Sequence, residues 1–143
     1  MTRRRILPED LGFLMTRASA ILVKETNRAM APLGLKVRGY SVLAAVCDED
    51  DGITQRRLAA DVGLDPSQIV ALVDDLEGRN LVMRTIDPDD RRNKLIVATE
   101  PGRELCGKAR TISNDVAERH IAGNDAEHID AVRNLLHHMV FAN

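Results

Sequence analysis

The sequence predicts a mainly α-helical protein with one small β-hairpin, folded as a single domain over residues 1–143. Apolar residues recur at helical spacing through most of the chain. Only the segments 81–86 and 94–98 are instead rich in β-branched and apolar residues, and a polar turn separates them. Capping residues divide the rest of the chain into six helices.

The composition excludes several classes of protein. Apolar residues make up 44% of the chain and charged residues 29%, which is typical of a folded protein and not of a disordered one. No apolar run reaches the roughly 18 residues that a membrane-spanning helix needs. No apolar secretory core follows the basic start, so we expect no membrane partner and a cytoplasmic location.

The first helix is predicted to follow Pro8 and to continue to about Ala31. Its apolar face has the spacing of a helix, at Leu11, Leu14, Met15, Ala18, Ile21 and Leu22. Gly34 can then adopt the left-handed conformation that closes a helix. A second helix is predicted over about 36–46, and an acidic turn follows it.

Two closely spaced helices come next. Thr54 is a suitable N-cap for a helix that ends near Asp61, and Gly63 allows a tight turn. Asp65 can cap a second helix from Pro66 to about Arg79, with Asn80 as its left-handed closing residue. A short helix, a tight turn and a second helix together form a helix-turn-helix.

The β-hairpin follows directly, and its turn is basic at one end, where Arg91, Arg92 and Lys94 stand together. A hairpin in this position is a wing. Thr99 is predicted to cap a fifth helix, which ends before Gly123, and Asp125 is predicted to cap a last helix. The fold class is therefore a winged helix-turn-helix with additional helices at both ends.

The net charge does not indicate a partner, because the 20 basic residues are nearly balanced by 22 acidic ones. DNA-binding domains usually carry a basic excess. A helix-turn-helix nevertheless places the start of its second helix against base edges in the major groove, and Ser67 and Gln68 stand at that start. An arginine on a thin hairpin can enter the minor groove, and we expect the neighbouring carboxylates to orient Arg91 and Arg92 without cancelling their charge.

Each of these features also has an explanation without DNA. Ser67 and Gln68 could be ordinary surface residues of a capping turn, and the hairpin tip could be a salt-bridged turn. A winged-helix module that binds a protein partner is therefore an open alternative.

The last helix has an apolar stripe at Ile129, Val132, Leu136, Met139 and Val140 that needs a covering surface, which favours a C2 homodimer.

Motifs for catalysis are absent from the sequence, which has no Gly-rich phosphate loop, G-x-S-x-G or H-E-x-x-H. We expect no enzyme activity, no cofactor and no metal. The histidines, all near the end of the chain, are expected to face solvent or an interface, with a zinc or pH-sensing site as the less favoured alternative. Cys47 and Cys106 are expected to be small buried apolar residues, with redox sensing less favoured because acidic residues follow Cys47.

From Thr54 through Gly102 the sequence resembles the MarR family of winged-helix regulators. The similarity is closest over 87–95, DPDDRRNKL, and over 99–102, TEPG, and the flanking layout extends it to essentially the whole chain. The resemblance implies a dimeric repressor or activator of transcription. It also implies dimerisation helices at 1–35 and 104–143, a DNA-binding lobe at 36–103, and a pseudo-palindromic operator with half-sites about 10 bp apart.

The resemblance also implies roles for particular residues. The DNA-binding candidates are Thr54, Gln55, Arg56, Ser67, Gln68, Val70, Ala71, Asp90, Arg91, Arg92 and Lys94. The candidates for a small anionic or phenolic effector, in a cleft between the terminal helices and the DNA-binding lobe, are Phe13, Arg17, Arg38 and Tyr40. The second helix of the helix-turn-helix, the recognition helix, carries Asp74 and Asp75 and no basic residue before Arg79. We therefore expect weak DNA binding unless basic residues of the wing and Arg56 or Arg57 supply the attraction to phosphates.

Overall fold

A computed structural model describes residues 4–142 of the chain. Its elements are α1 (Leu11–Met30), α2 (Val37–Cys47), α3 (Gln55–Val62), α4 (Pro66–Gly78), β1 (Val82–Ile86), β2 (Lys94–Ala98), α5 (Glu100–Ile121) and α6 (Ala126–Phe141). The predicted class, mainly helical with one antiparallel hairpin, is confirmed. Residues 1–3 and 143 of the predicted terminal segments lie outside the described residues.

The first helix begins three residues later than Pro8 suggests. Pro8 lies in a short 3-10 turn, Leu7–Glu9, and Asp10 is the N-cap, with its carboxylate accepting the backbone N–H of Phe13 at 2.7 Å. A carboxylate at this position satisfies a backbone donor that has no partner within the helix, which Pro8 cannot do. A second 3-10 turn follows Met30, and Gly34 closes it with φ 67°, as predicted.

The helix-turn-helix has the predicted caps. The Thr54 hydroxyl accepts the backbone N–H of Arg57 at 3.2 Å, and Asp65 accepts that of Gln68 at 3.0 Å. Gly63 and Asn80 adopt left-handed conformations, with φ of 75° and 60°. The start and end of each helix are therefore determined by the residues next to it in the sequence.

The end of the recognition helix α4 is attached to the junction between α1 and α2. The guanidinium of Arg79, directly after α4, donates to the backbone carbonyls of Leu33 and Gly34, each at 2.9 Å. The Cβ of any larger residue at position 34 would lie 3.1 Å from the Arg79 side chain. The chain therefore packs closely at this junction.

The wing consists of β1 and β2 in an antiparallel register that pairs Val82 with Ala98 and Ile86 with Lys94. Ile53 adds an isolated bridge to Ile96, with mutual backbone hydrogen bonds of 3.0 and 2.8 Å. The core lies beneath the helix-turn-helix and joins it to α2 and the wing. Its largest fully buried side chains include Met30, Leu43, Leu58, Ile69, Leu76 and Ile96.

Helix α5 is joined to the end of the recognition helix by its N-cap. Thr99 accepts the backbone N–H of Gly102 at 3.1 Å and donates its hydroxyl to the carbonyl of Asn80 at 2.7 Å. Gly102 lies so close to Leu81 that a Cβ there would be 1.9 Å from the Leu81 carbonyl oxygen. The hydrogen bond from Thr99 and the close approach of Gly102 therefore hold the start of α5 against the segment that follows α4.

Helix α6 has no buried residue within a single chain. Asp125 occupies the predicted N-cap position, but its side chain accepts no hydrogen bond from the backbone of α6. The position of the cap is therefore confirmed, but its hydrogen bond is absent. The predicted apolar stripe of α6 is exposed except for Ile129, which is partly buried, and several apolar residues of α1 are exposed as well. The exposed set includes Leu11, Leu14, Ile21, Val132, Leu135, Leu136, Met139, Val140 and Phe141.

Candidate nucleic-acid interface

The start of α4 presents the predicted base-contacting residues on one exposed face. Asp65 accepts the Ser67 hydroxyl at 2.5 Å and the backbone N–H of Gln68, and these hydrogen bonds, that of Ser67 first, lower the pKa of the Asp65 carboxyl. An ionised Asp65 therefore holds the first turn of the helix. Val70, which is 40% exposed, and Ala71 follow on the same surface.

The side chain of Gln68 is held from two sides. With its amide oriented to suit its neighbours, Gln68 donates to Asp65 Oδ2 at 3.0 Å and accepts from Arg38 Nη1 at 2.9 Å. Arg38 was expected in an effector cleft. The structure places its guanidinium beside the recognition helix, where it orients a candidate base-reading group.

A concave surface of about 340 Å³ lies between the start of α3 and the wing. It is lined by Thr54, Gln55, Arg56, Arg84, Arg92, Asn93, Lys94 and Ile96. Five of these were predicted DNA-binding residues. Arg56, Arg92 and Lys94 are exposed, and none of them forms a salt bridge with another residue in the described range 4–142. Three uncompensated cations therefore surround one groove.

The neighbouring cation Arg57 is not available in the same way. Its guanidinium pairs with Glu49 at one side and with Asp61, one helical turn further on, at 3.6 Å. Of the two arginines that were expected to attract DNA, Arg56 is therefore the favoured candidate, because the charge of Arg57 is already paired.

The turn of the wing is held by hydrogen bonds to its own carboxylates. Asp90 accepts the backbone N–H of Arg92 at 3.1 Å and the side-chain amide of Asn93 at 3.5 Å, and Asp87 accepts the backbone N–H of Asp89 at 2.9 Å. The expectation that these carboxylates orient the arginine guanidinium groups was wrong, because they bind the turn itself. The side chains of Arg91 and Arg92 extend from it, exposed.

Arg84 on β1 is the residue that the sequence analysis missed. Its guanidinium lies 2.6 Å from Asp74, 2.8 Å from Glu77 and 3.1 Å from Gln55 Oε1, and its side chain is only 18% exposed. Asp74 is therefore neutralised from the wing, which reduces the expected repulsion between α4 and DNA. Strand alternation was the available signal, because Arg84 shares a strand face with buried Val82.

The four predicted effector residues do not meet in one cavity of a single chain. Arg38 lines a cavity of about 640 Å³ between α1, the start of α2 and α4. Tyr40 lines a different cavity of about 470 Å³ between α2 and α5, since residues two apart on a helix point in nearly opposite directions. Phe13 and Arg17 lie on α1, where both are exposed.

The histidines lie apart from these surfaces. His120 Nε2 is 2.6 Å from Glu25 Oε2, and this hydrogen bond lowers the pKa of the Glu25 carboxyl. The rings of His137 and Phe141 are in tilted contact, with their centroids 5.0 Å apart. Within residues 4–142, no group of three or more His, Cys, Asp or Glu side chains is arranged to hold a metal ion. In the same range, no helix is both long and apolar enough to cross a bilayer.

A helix-turn-helix followed by a hairpin, with exposed cations around both, defines the winged-helix class of DNA-binding proteins. A family model described as the MarR family matches residues 40–94, from α2 to the first residue of β2. The regulator SarZ of Staphylococcus aureus, described as an HTH-type transcriptional regulator, is 31% identical over 90% of this chain and 86% of its own length.

Solved structures agree with this assignment. CouR from Rhodococcus jostii RHA1, bound to p-coumaroyl-CoA, is 44% identical, covers 98% of each chain and superposes with a TM-score of 0.90. A transcriptional repressor CouR bound to a 23-mer DNA duplex is 28% identical over 93% of this chain and 94% of its own, with a TM-score of 0.83. The chain belongs to the MarR family of transcriptional regulators.

Proposed function

We propose that this chain is a homodimeric transcriptional repressor that binds a pseudo-palindromic operator and is released by an aromatic acyl-CoA thioester. The observation that carries the DNA-binding part is the groove beside the wing, where Arg56, Arg92 and Lys94 lack acidic partners among the described residues. Phosphate contacts supply most of the affinity of such complexes. The similar repressor CouR was solved bound to a DNA duplex, which supports DNA binding by this chain.

The DNA contacts divide by chemistry. Ser67, Gln68, Val70 and Ala71 on α4 enter the major groove, where the Gln68 amide suits adenine and the apolar pair suits a thymine methyl group. Arg91 and Arg92, on the turn that Asp90 holds, enter the minor groove. Thr54, Gln55, Arg56 and Lys94 contact the phosphate backbone, which sets the register of the protein on the duplex.

The dimer interface is formed by the segments 1–35 and 104–143, and the segment 36–103 is the DNA-binding lobe. The exposed apolar residues at Leu11, Leu14, Leu136 and Val140 support this division, because exposed apolar surface on both terminal helices needs a cover. A two-fold axis between the terminal helices places two recognition helices on half-sites about 10 bp apart.

The effector proposal is a molecule that combines a phenolic ring with anionic phosphates. The support is the 44% identity to CouR, which was solved with p-coumaroyl-CoA, over 98% of both chains. Arg38 lies beside a cavity of about 640 Å³ and holds Gln68, so a phosphate that draws Arg38 away also frees Gln68. Phe13, Arg17 and Tyr40 are the further candidates for the ring and the linker.

One experiment tests the central claim. Purified protein selects bound fragments from a genomic DNA pool at two salt concentrations, and the oligomeric state is measured by light scattering. We expect a two-fold symmetric consensus and a dimer, with Leu136→Glu giving monomers that bind DNA weakly and Asn134→Glu, on the opposite face of α6, giving dimers. No enrichment at low salt would favour a protein-binding module instead.

Two further measurements test repression and release. Transcription in vitro from a promoter overlapping the selected site should fall when the protein is added. p-Coumaroyl-CoA should restore transcription at concentrations where free CoA and p-coumarate do not. Equal potency of free p-coumarate would assign the effector to the phenolic acid alone, and activation of transcription would contradict the repressor role.

A further inference from the structure

Two cysteines that are distant in sequence line one cavity between α2 and α5. Cys47 is the last residue of α2, Cys106 lies in the second turn of α5, and the Cys106 side chain is near enough to raise the pKa of the Cys47 thiol. Both are half-buried free thiols, and both line the cavity of about 470 Å³ that also contains Tyr40, Arg103 and Arg110. The expectation of small buried apolar cysteines is confirmed in part, because both pack half-buried against the core and both also line an open cavity.

The surroundings of the two thiols differ. On α5, Arg103 precedes Cys106 by three residues and Arg110 follows it by four, so both cations share the helix face of Cys106 and line the same cavity. Arg110 forms no salt bridge with any residue in the described range. Arg103 is held by Asp50 and by the backbone carbonyl of Cys47, so Arg110 is the cation left free beside Cys106. Reactive cysteines lie in partly exposed, electropositive surroundings of this kind.

Cys47 has the opposite character. Burial first, and the Cys106 sulfur next, raise the pKa of the Cys47 thiol to about 12, and Asp48 acts in the same direction. A thiol of this kind is a poor first nucleophile. It is well placed to attack a neighbouring sulfur that has already been oxidised.

We propose that Cys106 and Cys47 form a reversible intramolecular disulfide when the protein meets a hydroperoxide. The Cys106 thiolate attacks one peroxide oxygen, the O–O bond breaks, and Cys106 becomes a sulfenic acid while hydroxide leaves and takes up a proton. The Cys47 sulfur then attacks the Cys106 sulfur, and the Cys47 proton leaves with the second hydroxide as water. Two thiols and one hydrogen peroxide thus give one disulfide and two waters, and a low-molecular-weight thiol reverses the reaction.

The disulfide joins two helices at one point. An S–S bond is about 2.05 Å long and holds its two Cα atoms within roughly 7 Å of each other, so its formation fixes the end of α2 against α5. Helix α2 carries core residues Val42, Leu43 and Val46 and the Arg38 that holds Gln68. Resting here on the proposed function, we expect oxidation to weaken operator binding.

The full-length protein is treated with stoichiometric hydrogen peroxide and analysed by intact and peptide mass spectrometry. We expect a monomer-mass species lighter by two hydrogen atoms, with the Cys47 and Cys106 peptides linked, and recovery by dithiothreitol. Cys47→Ser should accumulate a sulfenic acid on Cys106 that a 1,3-dione traps, and Cys106→Ser should react far more slowly. Arg110→Gln should slow oxidation about threefold, whereas Arg119→Gln, exposed on the same helix away from the cavity, should not.

Two results would overturn the proposal. One is wild-type protein that gives sulfinic acids or links between chains without the internal disulfide, and the other is equal oxidation rates for the two serine variants. The DNA measurement is separate: disulfide formation with unchanged operator affinity would remove only the regulatory consequence. Failure of the reduced protein to bind any DNA would contradict the proposed function and leave the disulfide chemistry intact.

Discussion

The guanidinium of Arg84 on β1 lies 2.6 Å from the carboxylate of Asp74 on α4, and the same guanidinium reaches Glu77 at 2.8 Å. The wing and the recognition helix therefore share one charge network. With Arg84 in place, two carboxylates on the helix that approaches DNA have a cationic partner. Without it, both would repel the phosphate backbone.

Replacing this cation should weaken DNA binding through charge. We expect Arg84→Gln to lower operator affinity roughly tenfold, about 1.4 kcal/mol, measured by fluorescence anisotropy at fixed salt. The triple variant Arg84→Gln, Asp74→Asn, Glu77→Gln should regain most of this loss because the unpaired carboxylates are gone. If the triple variant binds as weakly as the single one, the network acts through the shape of the wing and not through charge.

Arg92 is predicted to enter the minor groove from the wing, between the two phosphate backbones. Arg92→Ala should weaken binding to operator and non-specific DNA alike, and it should lower the slope of log K against log salt by about one. The consensus at the positions read in the major groove should remain the same, since Arg92 does not contact them. An unchanged slope would remove Arg92 from the DNA contacts.

The adjacent pair Arg56 and Arg57 offers a matched comparison on α3. Arg56 has no acidic partner among the described residues, whereas Arg57 pairs with Glu49 and Asp61. We expect Arg56→Ala to lower the salt slope by about one and Arg57→Ala to change it by much less. Equal effects of the two substitutions would show that the ion pairs of Arg57 open when DNA binds.

Gln68 is predicted to read a base, with Arg38 holding it in position. Gln68→Ala should change the preferred base at one position of each half-site, measured by selection from a random pool. Arg38→Gln should reduce the preference at that same position without replacing it, because the amide loses one of its two partners. The same consensus from Gln68→Ala and wild type would exclude base reading by this residue.

The contact between the start of α5 and the segment that follows α4 requires a glycine. Gly102→Ala would place a Cβ 1.9 Å from the Leu81 carbonyl oxygen, and we expect a loss of about 3 kcal/mol in unfolding free energy, the upper end for overpacking. Gly107→Ala, in the same helix with no neighbouring atom within 4 Å, should be neutral or stabilising by up to about 1 kcal/mol. Urea unfolding under reducing conditions at one protein concentration measures both, and equal stabilities would contradict the close contact.

The sequence predicted those parts of the fold that depend on neighbouring residues. Thr54, Asp65 and Asn80 cap or close their helices as expected, because a cap binds backbone groups within three or four positions. The hairpin was predictable for the same reason, since a change of period and a polar turn are local signals.

The pairings between distant residues were not predictable. Arg84 with Asp74, Arg38 with Gln68, and Cys47 with Cys106 each join two elements whose packing no local pattern encodes. The sequence also did not show which of Arg56 and Arg57 is free of acidic partners. The two residues are identical and differ only in the acidic groups that the fold brings near them. The groove was therefore predicted as a set of residues and not as an arrangement.

The two hydrogen bonds from Arg79 to the carbonyls of Leu33 and Gly34 attach the recognition helix to the end of α1. Helix α1 has 20 residues, and at 1.5 Å per residue it is about 30 Å long. A tilt of roughly 5° along such a length moves its far end by about 2.6 Å. A small rotation between two protomers at their terminal helices would thus change the distance between the two recognition helices. The spacing of half-sites that a dimer can bind therefore depends on the angle between its two chains.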